Sequence, residues 1–387
     1  RDIKTNEIIT DKIENTSGSV LFSLDDKFIF YSKLDENHRP KKIFRHEIGK
    51  SVTDDILIFE EKTPAFTVSI GISADEKYYF INSSDHNTSE KYYFKTNEKL
   101  PKPKLVRKRE KGIIYSVSSW GDCFYIHTNK DAEDFKIERS KSLESNEWEV
   151  FIPSKDESMI GGLTFLNNWI IRSELTNALD KIFVRDIKSN KEEELIFSDE
   201  EVYDASISHT QRDRNTDLIY ISYSTPKTQS RTYLYNLKTK EKKLVKEQII
   251  PSGHDPKNYV VERVECNSDD GRKVPLTITR HKDTPLDGSA NLLLYGYGSY
   301  GASMSPSFSS TRLSLIDRNI IWVTAHIRGG MERGMKWWKE GKLLNKKNTF
   351  NDYIAAANFL INKKFTSKGK IIGMGGSAGG LLMGAVV

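Results

Sequence analysis

Ser377 stands in Gly375-Gly376-Ser377-Ala378-Gly379, a Gly-x-Ser-x-Gly run entered from the apolar stretch Ile371-Ile372-Gly373-Met374. That pattern predicts a nucleophile elbow, where a strand turns sharply into a helix and lifts one serine hydroxyl clear of the backbone. Glycines flank the serine because the turn is strained and leaves no room for side chains. The chemistry implied is attack on a carbonyl carbon with an acyl-enzyme at Ser377. Such a serine needs a histidine to take its proton, and on a fold of this kind the order is Ser, then Asp or Glu, then His. No histidine follows His326 in the 387 residues. His326 lies before the serine, at the end of an apolar run, and reads as a structural histidine. The chain thus shows a nucleophile without its general base, and is expected to turn over acyl substrates negligibly. The plain alternative for the motif is a glycine-rich turn packing helix on strand. A phosphate loop is disfavoured because no Gly-Lys-Ser/Thr follows.

Serine attack creates an oxyanion that needs donors. One is expected from the backbone N–H of Ala378, the residue after the nucleophile. The other should come from a loop after an earlier strand of the same sheet, and Tyr295-Gly296-Tyr297-Gly298-Ser299-Tyr300-Gly301 fills that place. Three tyrosines between glycines exceed what a structural turn requires.

These residues must be carried by particular elements. Leu292 to Tyr295 and Ile320 to Ala325 are continuous apolar runs of the kind buried central strands show. Val260 to Cys266 and Val274 to Arg280 read as a hairpin about Asp269-Asp270-Gly271. Phe350, Tyr353, Ile354, Ala357, Leu360 and Ile361 share one face at helical spacing. Thr349 is the expected N-cap of that helix, with Asp352 favouring the positive end of its dipole. Strand, helix, strand and elbow in this order predict the core of an α/β-hydrolase sheet, incomplete and ending just after the elbow.

The preceding residues follow a different rule. Ser23-Leu24-Asp25-Asp26-Lys27-Phe28-Ile29-Phe30 recurs as Ser73-Ala74-Asp75-Glu76-Lys77-Tyr78-Tyr79-Phe80, 50 residues on. Asp2-Ile3-Lys4-Thr5-Asn6, Asp186-Ile187-Lys188-Ser189-Asn190 and Asn236-Leu237-Lys238-Thr239-Lys240 form a second echo, each a turn between strand-like runs. Further strands are predicted at Ile113 to Val117, Cys123 to His127, Thr164 to Arg172 and Asp217 to Tyr223. Short strands repeating every 40–50 residues predict a β-propeller of about five blades' worth, itself incomplete. An irregular sandwich is the alternative. The division expected is a partial propeller over 1–246, a linker over 247–258 with two prolines and a glycine, and the partial hydrolase domain over 259–387.

A net charge of +5 arises from basic residues scattered along the whole length. The densest stretch, Pro101 to Lys111, lacks interleaved aromatics and reads as a solvated loop, so nucleic acid is not an indicated partner. Cys123 and Cys266 offer neither a disulfide framework nor a metal spacing, which points to a reducing, cytoplasmic setting and to no metal or other cofactor. No apolar run reaches membrane-spanning length, so no membrane partner is expected. The sequence opens with Arg1 amid a strand-turn-strand pattern, so residues upstream are expected.

YGYGSYGAS (295–303), FSSTRLSLIDRN (308–319), HIRGG (326–330), KKNTFNDY (346–353) and GGSAGGLLMGA (375–385) together resemble the prolyl oligopeptidase family of serine peptidases. The resemblance implies a hydrolase domain capped by a seven-bladed propeller that admits short peptides. It implies Ser377 as nucleophile, the Tyr297 hydroxyl and the Ala378 N–H as oxyanion hole, and Tyr300 lining the pocket for the residue before the cut. Ala378 and Ser299-Tyr300 resemble the branch that cleaves after Arg or Lys, where an aromatic face stacks on a guanidinium. The acidic residues credited with that preference, and the Asp and His of the triad, would lie beyond Val387. The family usually reads Arg-Gly-Gly-Gly-Glu, whereas Met331 replaces the third glycine here. If that position needs a positive φ, the loop must adjust. The competing class is a catalytically inactive remnant or a propeller serving as a binding module. An esterase or aminopeptidase on the same scaffold is a further alternative, though no acidic residues for a free amine stand out.

Overall fold

The computed structural model describes residues 3–9, 11–145, 147–208 and 214–387. Its chain gathers into two compact units, Arg1–Pro153 and Ser154–Val387.

The first unit holds three four-stranded antiparallel meanders. They are formed by Thr16–Phe22, Phe28–Leu34, Pro40–Glu47 and Ile56–Glu60; by Thr67–Ile72, Tyr78–Ser84, Ser89–Lys95 and Lys104–Arg107; and by Tyr115–Trp120, Cys123–Thr128, Lys136–Ser140 and Glu149–Ile152. The 50-residue echo is the turn between the first two strands of the first two sheets. Ser23 Oγ donates to Asp25 Oδ1 at 2.6 Å and accepts from Phe28 N at 3.0 Å. Ser73 repeats this with Asp75 at 2.7 Å and Tyr78 N at 3.0 Å. Asp26 and Glu76 take the same left-handed conformation, φ 56° and 57°. Alternating apolar residues pack the first sheet on the second through Phe30, Ile43, Val68, Tyr79, Ile81 and Phe94.

Two expectations fail in this unit. The basic stretch from Pro101 is not a solvated loop: it contains the strand Lys104–Arg107, and Arg109 is pinned between Glu61 and Glu90 at 2.6 and 2.7 Å. Glu61 follows the strand Ile56–Glu60 and Glu90 lies in Ser89–Lys95, both far along the chain from Arg109, so the local sequence gives no hint of them. The third sheet also begins at Tyr115, two residues later than predicted.

The second unit opens with two more meanders: Ser158–Phe165, Trp169–Thr176, Leu179–Asp186 and Glu192–Glu194; then Asp204–Ser208, Leu218–Ser224, Arg231–Asn236 and Lys242–Glu247. The run Thr164 to Arg172 is therefore two strands, not one. Leu166 and Trp169 exchange backbone hydrogen bonds at 2.9 and 3.2 Å across the tight Asn167-Asn168 turn. The second echo is the last turn of each sheet, with Asn190 at φ 57° and Lys240 at φ 62°. In its first copy Asp2 lies outside the described residues, and Asn6 has φ 64°. Five sheets of four strands in series make this part of the chain a β-propeller.

A five-stranded mixed sheet follows in the same unit: β1 (Tyr259–Asn267), β2 (Lys273–His281), β3 (Leu292–Tyr295), β4 (Ile321–Ala325) and β5 (Ile371–Met374). Its spatial order is β1-β2-β4-β3-β5. The β1–β2 hairpin and β2–β4 are antiparallel, while β3 lies parallel to both β4 and β5. The helices are α1 (Ser310–Ile316), α2 (Gly334–Lys339), α3 (Lys347–Asn362) and α4 (Gly379–Val386). Leu292, Leu294, Ile321 and Val323 are fully buried against Ala356, Leu360 and Leu382 of the covering helices. β5 is an edge strand, with Ile372 50% and Met374 47% exposed. Among the described residues no helix is long and apolar enough to cross a membrane.

α3 departs from its prediction at the start. It begins at Lys347, no side chain caps it, and Thr349 lies inside its first turn. The buried face holds Thr349, Asp352, Tyr353, Ala356 and Leu360, whereas Ile354 is 43% exposed. The helix is rotated from its purely apolar stripe because Thr349 and Asp352 are drawn inward by a polar partner.

Candidate active site

Ser377 stands between β5 and α4 with φ 51°, exposed to solvent. A serine in the left-handed region is strained, and the surrounding turn holds it there. Gly376 O accepts from Gly379 N at 2.7 Å and Ser377 O from Gly380 N at 2.8 Å, so α4 starts immediately after the nucleophile. A Cβ on Gly375 would lie 2.5 Å from Gly379 O, which is why this turn demands glycine. Among the described residues the Ala378 N–H has no hydrogen-bond partner and stays available.

The tyrosine loop follows β3, the strand paired directly with β5. Gly379 packs beneath it: a Cβ there would sit 3.1 Å from Gly296 O and 3.5 Å from Cδ2 of the Tyr297 ring. The fold thus brings the elbow and Tyr297 together. Tyr300, at φ 55°, is 80% exposed.

Three polar groups at the start of α3 and just before it hold the tyrosine loop and the Arg328 segment beside it. Lys346 Nζ donates to Gly298 O at 2.5 Å and Ser299 Oγ at 2.9 Å, and burial pulls its pKa below the usual lysine range. Thr349 Oγ1 donates to Arg328 O at 2.8 Å. Asp352, fully buried, takes the Arg328 guanidinium through Nε at 2.9 Å and Nη2 at 2.6 Å, and also the Arg328 N–H at 3.0 Å. Burial opposes the Arg328 charge, yet the Asp352 and Asp270 carboxylates outweigh it and hold the guanidinium protonated. Sequence reasoning missed these groups. Asp352 and Thr349 carried the signal of a helix start, and nothing local marks a partner 24 or 21 residues away.

The Arg328-Gly329-Gly330 segment then meets the loop. Gly301 N donates to Gly329 O at 2.9 Å, and a Cβ on Gly329 would fall 1.9 Å from Gly298 O. Met331 is not among the residues with positive φ, so its replacement of a glycine needs no loop adjustment, and its side chain covers Gly301 instead.

His326 immediately follows β4, two strands from β5, and is fully buried with Nε2 2.8 Å from Thr277 Oγ1. Burial and the Arg263 charge push it down to about 4 despite Glu332 nearby, so it is neutral at pH 7 and shut away from solvent. It is not placed to receive the Ser377 proton.

The description "Prolyl oligopeptidase, N-terminal beta-propeller domain" matches residues 1–248, and "Prolyl oligopeptidase family" matches residues 306–387. Dipeptidyl aminopeptidase BI of Pseudoxanthomonas mexicana is 36% identical over 392 residues, covering 100% of this chain and 53% of that protein. Protease 2 of Moraxella lacunata is 36% identical over 390 residues, covering 100% and 56%. Oligopeptidase B from Trypanosoma brucei with covalently bound antipain superposes with a TM-score of 0.92 at 33% identity, covering 98% of this chain and 55% of that one. Oligopeptidase B from Leishmania major gives 0.91 at 31%, with 98% and 55% covered. The chain spans about half the length of the curated relatives it matches.

Proposed function

Because this chain belongs to the prolyl oligopeptidase family of serine peptidases, we propose that it carries the nucleophile of an oligopeptidase that cuts short peptides after Arg or Lys. The observation that carries this reading is Ser377 held at φ 51° with Gly379 seated against Tyr297. Ser377 Oγ adds to the carbonyl carbon, and the charge on the carbonyl oxygen is met by the Tyr297 hydroxyl and the Ala378 N–H. The C–N bond then breaks and the amine leaves with the proton taken from serine. Water repeats the sequence on the ester and frees the acid. Tyr300 offers an exposed ring on which a substrate guanidinium can stack. The division into propeller 1–246, linker 247–258 and hydrolase 259–387 belongs to the same proposal. So do a cytoplasmic setting, in keeping with free Cys123 and Cys266, and the absence of a nucleic-acid partner, in keeping with basic side chains such as Arg109 being tied to carboxylates.

With His326 buried and neutral, the 387-residue chain alone is proposed to release no more product from an arginyl anilide peptide than its Ser377→Ala variant. Continued by the remaining hydrolase segment of the Moraxella lacunata relative, it is expected to cleave arginyl and lysyl anilides at least about 10³-fold faster than Ser377→Ala. Cleavage of that fusion that ignores Ser377, or that is equal after neutral residues, overturns the reading.

One observation favours a second reading. Asp180 and Asp204 line a cavity of about 430 Å³ together with Ser303, Met304 and Ser305, just past the tyrosine loop. Burial, then the neighbouring Asp204 charge, raises the Asp180 pKa. Paired carboxyls of this kind suit a free N-terminal amine, as an aminopeptidase requires. Preference of the fusion for free over N-acetylated peptides, lost in Asp180→Asn, would select this reading.

A further inference from the structure

Between the second and third sheets of the first unit lies a cavity of about 340 Å³, lined among others by Ser69, Gly71, Phe80, Asn82, Lys91 and Val117. Directly opposed residues of neighbouring strands share a face. Ser69 opposes Asn82, Asn82 opposes Lys91 and Lys91 opposes Arg107, so this face carries two neutral groups and then two cations. The carboxylates nearby are already engaged. Glu138 takes Arg107 and Lys136, both at 2.9 Å. Glu90 projects from the opposite face and accepts from Arg109 and from the Tyr92 hydroxyl. Among the described residues Lys91 Nζ has no ion-pair partner, and its hydrogen bond goes to the neutral Asn82 Oδ1. An ammonium has three donors, which leaves two for the cavity. Gly71 forms an open part of the wall: a Cβ there would meet nothing within 4 Å, and its φ is not in the left-handed region.

We propose that this cavity is an oxyanion-binding subsite in which Lys91 is the counter-ion for a carboxylate or phosphate group. A partly buried cation without a counter-charge is destabilised by its lost hydration, and a bound anion supplies the missing partner. The arrangement is independent of Ser377 and of any reading of the catalytic site.

Burial pulls the Lys91 ammonium down to about 8. An anion that binds the charged form must therefore draw it back up, and the amine becomes less reactive at pH 8. The test is site-resolved acetylation of the 387-residue chain with an amine-reactive ester at pH 8, read by mass spectrometry. Exposed Lys62 serves as the internal control. Acetate, inorganic phosphate, a short peptide acid and the same peptide as its amide are added at matched ionic strength. At least one oxyanion is expected to slow labelling of Lys91 about threefold or more relative to Lys62, with saturation. Protection by the peptide acid but not its amide identifies a peptide C-terminus as the source. Protection by phosphate alone identifies a phosphate. In Gly71→Leu, which fills the cavity and leaves Lys91 in place, protection should vanish. Equal labelling of Lys91 with and without every anion overturns the proposal, and that result needs no variant. Protection that persists in a folded Gly71→Leu overturns it as well.

Discussion

The two turns that meet at the candidate site are held by opposite means. The tyrosine loop is fixed from outside, by Lys346, by Thr349 and by the Arg328–Asp352 pair beneath the adjoining segment. The elbow is fixed from within, by close glycine packing and its own turn hydrogen bonds, with Ser377 left in a strained conformation. A loop that must present a long phenol needs a scaffold at its base. A turn that must present a short hydroxyl needs only to be tight. The first should therefore fail when a distant side chain is changed, and the second only when a local Cβ is added or removed.

The largest effect is expected where the Arg328 segment packs directly under the tyrosine loop. Gly329→Ala places a Cβ on Gly298 O at a φ of 106°, and should cost about 4 kcal/mol or more in urea unfolding. Asp352→Asn strips the buried Arg328 of its main counter-charge and should cost roughly 3 to 5 kcal/mol. If that loss stays below about 1 kcal/mol, the loop is not scaffolded from α3. A third test is titration. His326 is held below its unfolded value, so the unfolded chain binds the extra proton between about pH 6.5 and pH 4. Stability contributed by neutral His326 is present above pH 6.5 and falls as the pH drops through that window. His326→Gln should flatten the stability–pH curve there by an amount on the order of 3 kcal/mol. The smallest effect is a gain: Ser377→Gly relieves the left-handed strain and should raise stability by about 1 kcal/mol. No gain would mean that the elbow is not strained by its serine.

Much of this was legible in the residues. Continuous apolar runs marked β3 and β4 because both of their faces are buried, and the glycines marked the elbow because a Cβ at Gly375 would lie 2.5 Å from Gly379 O and one at Gly379 3.1 Å from Gly296 O, although Gly376 has open space around it. The repeats marked the propeller turns because the same Ser–Asp side chains close each one. What was not legible depends on distant partners. Thr349 and Asp352 look like the start of a helix to any local rule, yet the hydroxyl goes to Arg328 O and the carboxylate to Arg328 itself. Likewise, Thr164 to Arg172 reads as one strand by composition, and only the turn at Asn167-Asn168 divides it. The carboxyl pair Asp180 and Asp204 comes from two different sheets, and no spacing announces it.

The fourth propeller sheet turns back at Asn177-Ala178, with both residues in the left-handed region at φ 51° and 60°. Asn177 O accepts from Arg263 Nη2 at 2.5 Å, Asn177 Oδ1 from Arg333 Nε at 3.1 Å, and Ala178 N–H donates to Glu332 O at 2.9 Å. This hairpin tip is a rivet: it fastens a blade both to β1 and to the segment that carries Arg328 and Gly329. Force applied to that blade is delivered within a few bonds to the floor of the tyrosine loop. Any motion that freed the blade would have to shear three hydrogen bonds together.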